Sequence, residues 1–191
     1  MTYSYEEYLS FSDMPLNEEE LERLRQMYIE SFPPEERRPW EQLLGGINEA
    51  FALRLLRYRG CPCGFLSLWR LRHAVFVEHL VISPAVRGRG VGSAAMKSLL
   101  TELRHCPLIL EIEPRELSSE ARRRQEFYER LGLTLLPYPY IQPPYIAGTM
   151  GVRLRLMSCH PLPETQIQPI IDELHRVVYR TNDPTHVSIQ I

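Results

Sequence analysis

The chain has 191 residues, 44% hydrophobic and 24% charged, which fits one globular domain with a sizeable core and excludes disordered and fibrous classes. A formal net charge of -2 removes any global electrostatic drive towards nucleic acid, and no apolar run reaches the roughly 18 residues that would span a membrane. The start, "MTYSYEEYLSFSDMPLNEEE", is acidic where a secretory leader is basic and then apolar, so a cytoplasmic location is expected.

"LNEEELERLRQMYIESF" predicts a helix with Asn17 as N-cap and three glutamates in its first turn, stopped by Pro33 and Pro34. A shorter helix lies in "EERRPWEQLLGGI", ended by Gly45 and Gly46. "AFALRLLRYRG" and "CGFLSLWRLR" pair as an antiparallel hairpin across a turn from Gly60 to Gly64. Cys61, Cys63, Cys106 and Cys159 are too few for a disulfide scaffold, and Cys61-Pro-Cys63 lacks zinc-finger spacing, so no metal is expected. "AVFVEHLVISP" is a third strand, with Glu78 and His79 on opposite faces if it is regular.

"GVGSAAMKSLLTELR" follows as a helix burying Val91, Ala94 or Ala95, Leu99 and Leu103. "PLILEIEP" is a strand, and "SSEARRRQEFYERLG" a helix with a serine N-cap and Gly132 beyond its end. Strand, glycine turn, helix and strand in that order call for two adjacent parallel strands with a crossover helix, beside an antiparallel hairpin. "YPYIQPPYIAG" reads as a proline and tyrosine loop and "TMGVRLRLM" as a late strand. "ETQIQPIIDELHRVVYR" is an amphipathic helix whose Ile167, Ile170, Ile171, Leu174, Val177 and Val178 must pack on the chain's own domain or on a dimer mate.

The stretch "VRGRGVG", residues 86 to 92, places Gly88, Gly90 and Gly92 between a strand and a helix, where orphan amides make an anion site. Gly-x-Gly-x-Gly departs from the dinucleotide fingerprint, and Met96 stands where a nucleotide-triphosphate loop needs the glycine before Lys97-Ser98. A third ligand class that uses this device is the pyrophosphate of coenzyme A, and the plain alternative is an ordinary turn with solvated arginines. Arg87-x-x-Gly90-x-Gly92 after "EHLVISPAV" resembles the central motif of the GNAT superfamily of N-acetyltransferases. "EFYERLGL", residues 126 to 133, is similar to that superfamily's later helix, with Tyr128 at its tyrosine position. The element order agrees over roughly residues 15 to 157.

The resemblance implies a GNAT-like α/β (α+β) fold, a mixed twisted sheet with helices on both faces, over residues 1–157, and residues 158–191 as a C-terminal tail. It further implies acetyl-CoA as co-substrate. The pantetheine arm would lie against Leu80, Val81 and Ile82 in the manner of strand addition, and the pyrophosphate against Arg87, Gly88, Arg89, Gly90, Val91, Gly92 and Ser93. Acyl transfer to an amine needs a base, an oxyanion donor and an acid. Glu78 is the first candidate base and Glu111 the second, a main-chain N–H near Val81 the oxyanion donor, and Tyr128 the acid. The plain alternative for Glu78 is an ion pair with Arg70 or Arg72. Where many relatives carry an asparagine early in the tyrosine helix, this chain has Ser118 and Ser119.

The acceptor groove would be lined by "SFPPEERRPW" and "PYPYIQPPY"; "FPPEERRPW" resembles a segment found in a subset of bacterial members. The expected acceptor is a primary amine on a small molecule or peptide, with no nucleic-acid or membrane partner, and the protein a monomer or homodimer. A non-catalytic acyl-CoA-binding sensory module is the competing reading.

Overall fold

The computed structural model describes residues 9–12, 16–45, 47–146 and 148–180. Its strands are β1 (Leu9–Ser12), β2 (Phe51–Tyr58), β3 (Cys61–Arg70), β4 (Val75–Ile82), β5 (Leu108–Ile112), β6 (Thr134–Leu135), β7 (Tyr140–Gln142) and β8 (Val152–Ser158). They follow the order β1-β2-β3-β4-β5-β8-β6, with β7 also on β8; β4 and β5 are parallel and the other pairings antiparallel. The helices are α1 (Glu18–Ser31), α2 (Trp40–Leu44), α3 (Val91–Glu102), α4 (Ser119–Glu129) and α5 (Glu164–Glu173). None of the described helices is long and apolar enough to cross a membrane.

Alternation along the strands divides the core. Leu66, Leu68, Val77 and Leu110 face α3 and α4, meeting Val91, Ala95, Leu99 and Tyr128. Trp69, Phe76, Ile109 and Leu156 face the opposite way, onto Ile167, Ile170, Ile171 and Leu174 of the C-terminal segment. Beside them Leu55, Phe65 and Val81 meet Leu24, Tyr28 and Leu43 of α1 and α2. The apolar face of α5 is therefore covered by its own chain.

Asn17 closes α1 with a full capping box: its side chain accepts from Glu20 N, and the Glu20 carboxylate accepts from Asn17 N. Such a cap contributes about 1 kcal/mol. Three features depart from the sequence pattern. The hairpin turn is Arg59–Gly60, so Cys61 to Gly64 already belong to β3. At Gly64 a Cβ would stand 1.9 Å from Val81 O, so glycine here permits a close approach of β4. The acidic start contains β1, an edge strand that its short polar sequence does not announce. Within the proline and tyrosine loop, β7 pairs with β8.

The fourth departure shapes the site. Ser67 pairs with His79 and Leu68 with Val77, leaving Glu78 as an extra residue, a β-bulge in β4. The bulge resets the alternation, so that Glu78 and His79 both turn to the face that carries α1, α2 and α5. The expectation that His79 lies opposite Glu78 fails because the strand is not regular.

Candidate active site

β4 and β5 are paired only over Val75–Val77 and Leu108–Leu110. Beyond Val77 the bulge bends β4 away, while Glu111 and Ile112 stay on β8. A cleft of about 870 Å³ opens between them.

One end of the cleft is lined by Leu80, Ile82, Arg87, Gly88, Gly90, Val91, Gly92 and Ser93. Gly90 caps α3 with a left-handed φ of 79°, a conformation that glycine adopts without strain. The first bond of α3 runs from Ala94 N to Gly90 O, and the amides of Val91, Gly92 and Ser93 find no backbone acceptor among the described residues. Gly92 is helical, and a Cβ there would lie 3.6 Å from Ile82 and 3.7 Å from Phe127, ordinary contact distances. The fold itself has room for a side chain at this position; it is the approach to the amides that a Cβ would obstruct. Arg87 is held at the rim, donating through Nε to Ile82 O at 3.0 Å and through a terminal nitrogen to Ser31 Oγ at 3.4 Å. Two expected cofactor contacts do not line the cleft. Val81 is fully buried beneath α1, between the cleft-lining Leu80 and Ile82, and Arg89 is exposed outside the cleft.

Tyr128 enters the cleft from α4, where Ala121, Gln125 and Tyr128 form the buried face. Its hydroxyl has no hydrogen-bond partner among the described residues, and burial pushes its pKa up to about 12. The serines that stand where many relatives carry an asparagine are engaged at the helix start: Ser118 Oγ accepts from Ala121 N, and Ser119 Oγ donates to Glu120. In the neighbouring arginine run, Arg124 pairs with Glu113 and Arg123 with Glu120.

Glu78 is enclosed. Arg38 holds Oε1 at 2.6 Å, Tyr145 donates to the same oxygen at 3.0 Å, and Trp69 Nε1 and Ser67 Oγ donate to Oε2 at 3.0 and 3.2 Å. Arg38 lies between the rings of Trp69 and Tyr145, 5.1 and 4.8 Å from their centroids. Burial alone would raise the Glu78 pKa, but His79 and Arg38 hold it well below the usual carboxylate range. A carboxylate this saturated is a poor proton acceptor, which argues against Glu78 as base. Its ionic partner is Arg38, forty positions away in sequence, and not a neighbouring-strand arginine.

Glu111 lines the cleft from β5. Tyr140 donates to Oε1 and Tyr179 to Oε2. Burial pushes its pKa up to about 8 against the two hydrogen bonds, helped by the charges of Glu78 and Glu36. Glu36, from the short 3-10 turn Pro34–Glu36, reaches the same cleft, and burial with the Glu113 charge lifts its pKa to about 7. Sequence reasoning did not single out Tyr179, and no local signal marks it. Arg38 entered that reading only as part of the groove-lining segment "SFPPEERRPW", whereas it neutralises the chain's own carboxylate.

The family described as the acetyltransferase (GNAT) family matches residues 19–133. The chain belongs to the GNAT family. A solved structure from Bacteroides thetaiotaomicron, described as a GNAT-family acetyltransferase, is 31% identical over 90% of this chain and 99% of its own, with a TM-score of 0.78. The ribosomal-protein-S18-alanine N-acetyltransferase of Escherichia coli shares the fold at 19% identity and a TM-score of 0.55, over 82% of this chain and 97% of its own. Arabidopsis thaliana Naa50, solved with the bisubstrate analogue CoA-Ac-MVNAL, shares it at 16% and 0.54, over 79% and 97%. A search of curated protein sequences returned no significant match. As a GNAT protein the chain is an acetyltransferase with acetyl-CoA as co-substrate, and the cleft end built on Gly90 and Gly92 fits that molecule's diphosphate.

Proposed function

We propose that this GNAT protein moves the acetyl group of acetyl-CoA directly onto a primary amine of a small molecule or peptide, with Glu111 as base and Tyr128 as acid. The observation that carries this reading is that both side chains line one cleft, the carboxyl with a raised pKa and the phenol with no hydrogen-bond partner among the described residues. A free alkyl ammonium has a pKa of about 10.4, so it must lose a proton before it attacks. Glu111, ionising near 8, takes that proton far better than the saturated Glu78. The amine nitrogen then bonds the acetyl carbon as the carbon–sulfur bond breaks. A main-chain N–H of β4 near Val81, where pairing with β5 has ended, stabilises the oxyanion. Tyr128 stays protonated across the working pH range and donates to the departing sulfur. Once ionised, above about 7 and about 8, Glu36 and Glu111 give the acceptor end a negative field that suits an incoming ammonium group.

The test is thiol release from acetyl-CoA with a panel of butylamine, putrescine, phenethylamine, lysine and a short peptide with a free N-terminus. Amine-dependent release that Glu111→Gln lowers about a hundredfold supports the assignment. Binding of acetyl-CoA with only amine-independent hydrolysis across the panel would favour an acyl-CoA-binding module instead.

A further inference from the structure

Tyr179 lies well beyond the family-matched residues, yet its hydroxyl donates to Glu111 Oε2 at 2.8 Å. Tyr140 of β7 donates to the other oxygen, so each carboxylate oxygen has its own phenol. The delivery of Tyr179 depends on an unusual turn. Leu174–Val178 is π-helical, and Tyr179 N closes it onto Leu174 O at 3.2 Å. Such wide turns occur mostly as single-turn bulges in α-helices and are frequent at functional sites. This one is pinned from several sides. Arg38 donates to Val178 O at 2.9 Å, His175 Nε2 meets Ile141 O at 3.2 Å, and the rings of Tyr145 and Tyr179 stand 5.2 Å apart. Leu174 and Val178 are fully buried in the core. The hydroxyl is therefore presented by a rigid support.

We propose that Tyr179 is a positioning residue for acetyl transfer: its hydroxyl fixes the second oxygen of Glu111, so the C-terminal turn is a working part of the active site. The inference rests on the reading of Glu111 as base. With Tyr140 alone the carboxyl group has one tether and can turn about it; with two it keeps one orientation towards the cleft. The second bond also sets when Glu111 ionises. Glu78 from β4 and Glu36 from the 3-10 turn oppose its charge, whereas Tyr140 from β7 and Tyr179 from the C-terminal turn favour it. Tyr145 bridges the two regions, donating to Glu78 and packing on Tyr179. Losing one hydroxyl tips that balance towards the protonated acid.

The experiment uses the full chain carrying carboxyl-labelled glutamate, titrated by carbon NMR, with the Glu111 resonance identified by its loss in Glu111→Gln. Tyr179→Phe keeps the ring and removes the donor, so the Glu111 midpoint is expected to rise by about one pH unit. The acid limb of amine-dependent kcat/KM, measured with the fastest amine of the panel, moves upward with it, while KM for acetyl-CoA stays fixed. Fluorotyrosine placed at position 179 is a stronger donor and is expected to move the midpoint down, which keeps the test decisive should the phenylalanine variant fold poorly. A folded Tyr179→Phe with an unmoved midpoint, beside a Glu111→Gln that has lost its activity, overturns the role of Tyr179 alone. A Glu111→Gln with wild-type amine-dependent rate removes Glu111 from the chemistry and this proposal with it.

Discussion

Arg38→Met leaves a flexible apolar chain between Trp69 and Tyr145 but strips the counter-charge from a carboxylate that borders the cleft and is almost wholly buried. The side chains of Arg38 and Glu78 are 3% and 1% exposed. Removing one partner of a buried pair costs about 3–5 kcal/mol, because the remaining charge stays desolvated. Trp69, Ser67 and Tyr145 continue to donate to Glu78, which places the loss at the lower end, about 3 kcal/mol. With a urea slope of about 2 kcal/mol/M, the unfolding midpoint, followed by tryptophan fluorescence, should fall by about 1.5 M. The double variant Arg38→Met with Glu78→Gln no longer buries a charge and should recover most of that loss. The pH dependence has a definite sign. In the native protein the Glu78 carboxyl is held below its unfolded value, so its contribution is present above an unfolded pKa of about 4.3 and is lost as the pH falls through the lower, native value. In Arg38→Met that depression weakens, so the deficit against wild type should be larger at about pH 7 than at about pH 4. A midpoint within about 0.3 M of wild type, or a double variant no more stable than Arg38→Met alone, would refute the reasoning.

Tyr128→Phe removes a hydroxyl that has no hydrogen-bond partner among the described residues, so folding should hold while kcat falls about a hundredfold with KM for acetyl-CoA unchanged; undiminished thiol release at saturating acetyl-CoA would take Tyr128 out of the mechanism. Gly92→Ala should unfold at the wild-type temperature, since its Cβ meets only ordinary contacts. The same variant should lose most of the thermal stabilisation, about 2.7 kcal/mol, that acetyl-CoA at about 100 times its dissociation constant gives the wild type; an equal shift in both proteins would separate the glycine turn from cofactor binding. Glu111, ionising near 8 in the folded chain against about 4.3 unfolded, contributes stability that is complete below about 4.3 and disappears as the pH rises through 8. Amine-dependent kcat/KM should rise over the upper part of that range, and urea unfolding of Glu111→Gln between pH about 5 and 8 should show a shallower decline than wild type.

The sequence carried the parallel pair, the glycine turn and the tyrosine helix because each has a local signature: an apolar run, residues that tolerate left-handed backbone, a serine cap with a glycine beyond the helix end. Asn17 and Ser118 cap where their side chains predict. The bulge at Glu78 has no such signature. "VFVEHLVI" contains no glycine or proline, and only the pairing with β3 reveals that one residue is left over. That slip reassigns Glu78 and His79 together, and with it the choice between two glutamates of similar appearance in the sequence. Arg38 and Tyr179 were hidden for another reason. Their partners lie far away in the chain, so nothing in their neighbours distinguishes a buried counter-ion from a solvated arginine, or a tethering phenol from a core tyrosine.

The C-terminal turn also bears on the order of events during synthesis. A domain generally folds as a unit, and Leu174 and Val178 complete one face of the core, so that face of the sheet stays uncovered until residues 174 to 179 have been made. Until those residues arrive, Arg38 lacks its contact with Val178 O and Glu111 one of its two phenols. A nascent or proteolytically shortened chain would thus lack part of a core face together with one tether of Glu111, so its losses in folding and in transfer would come from the same few residues.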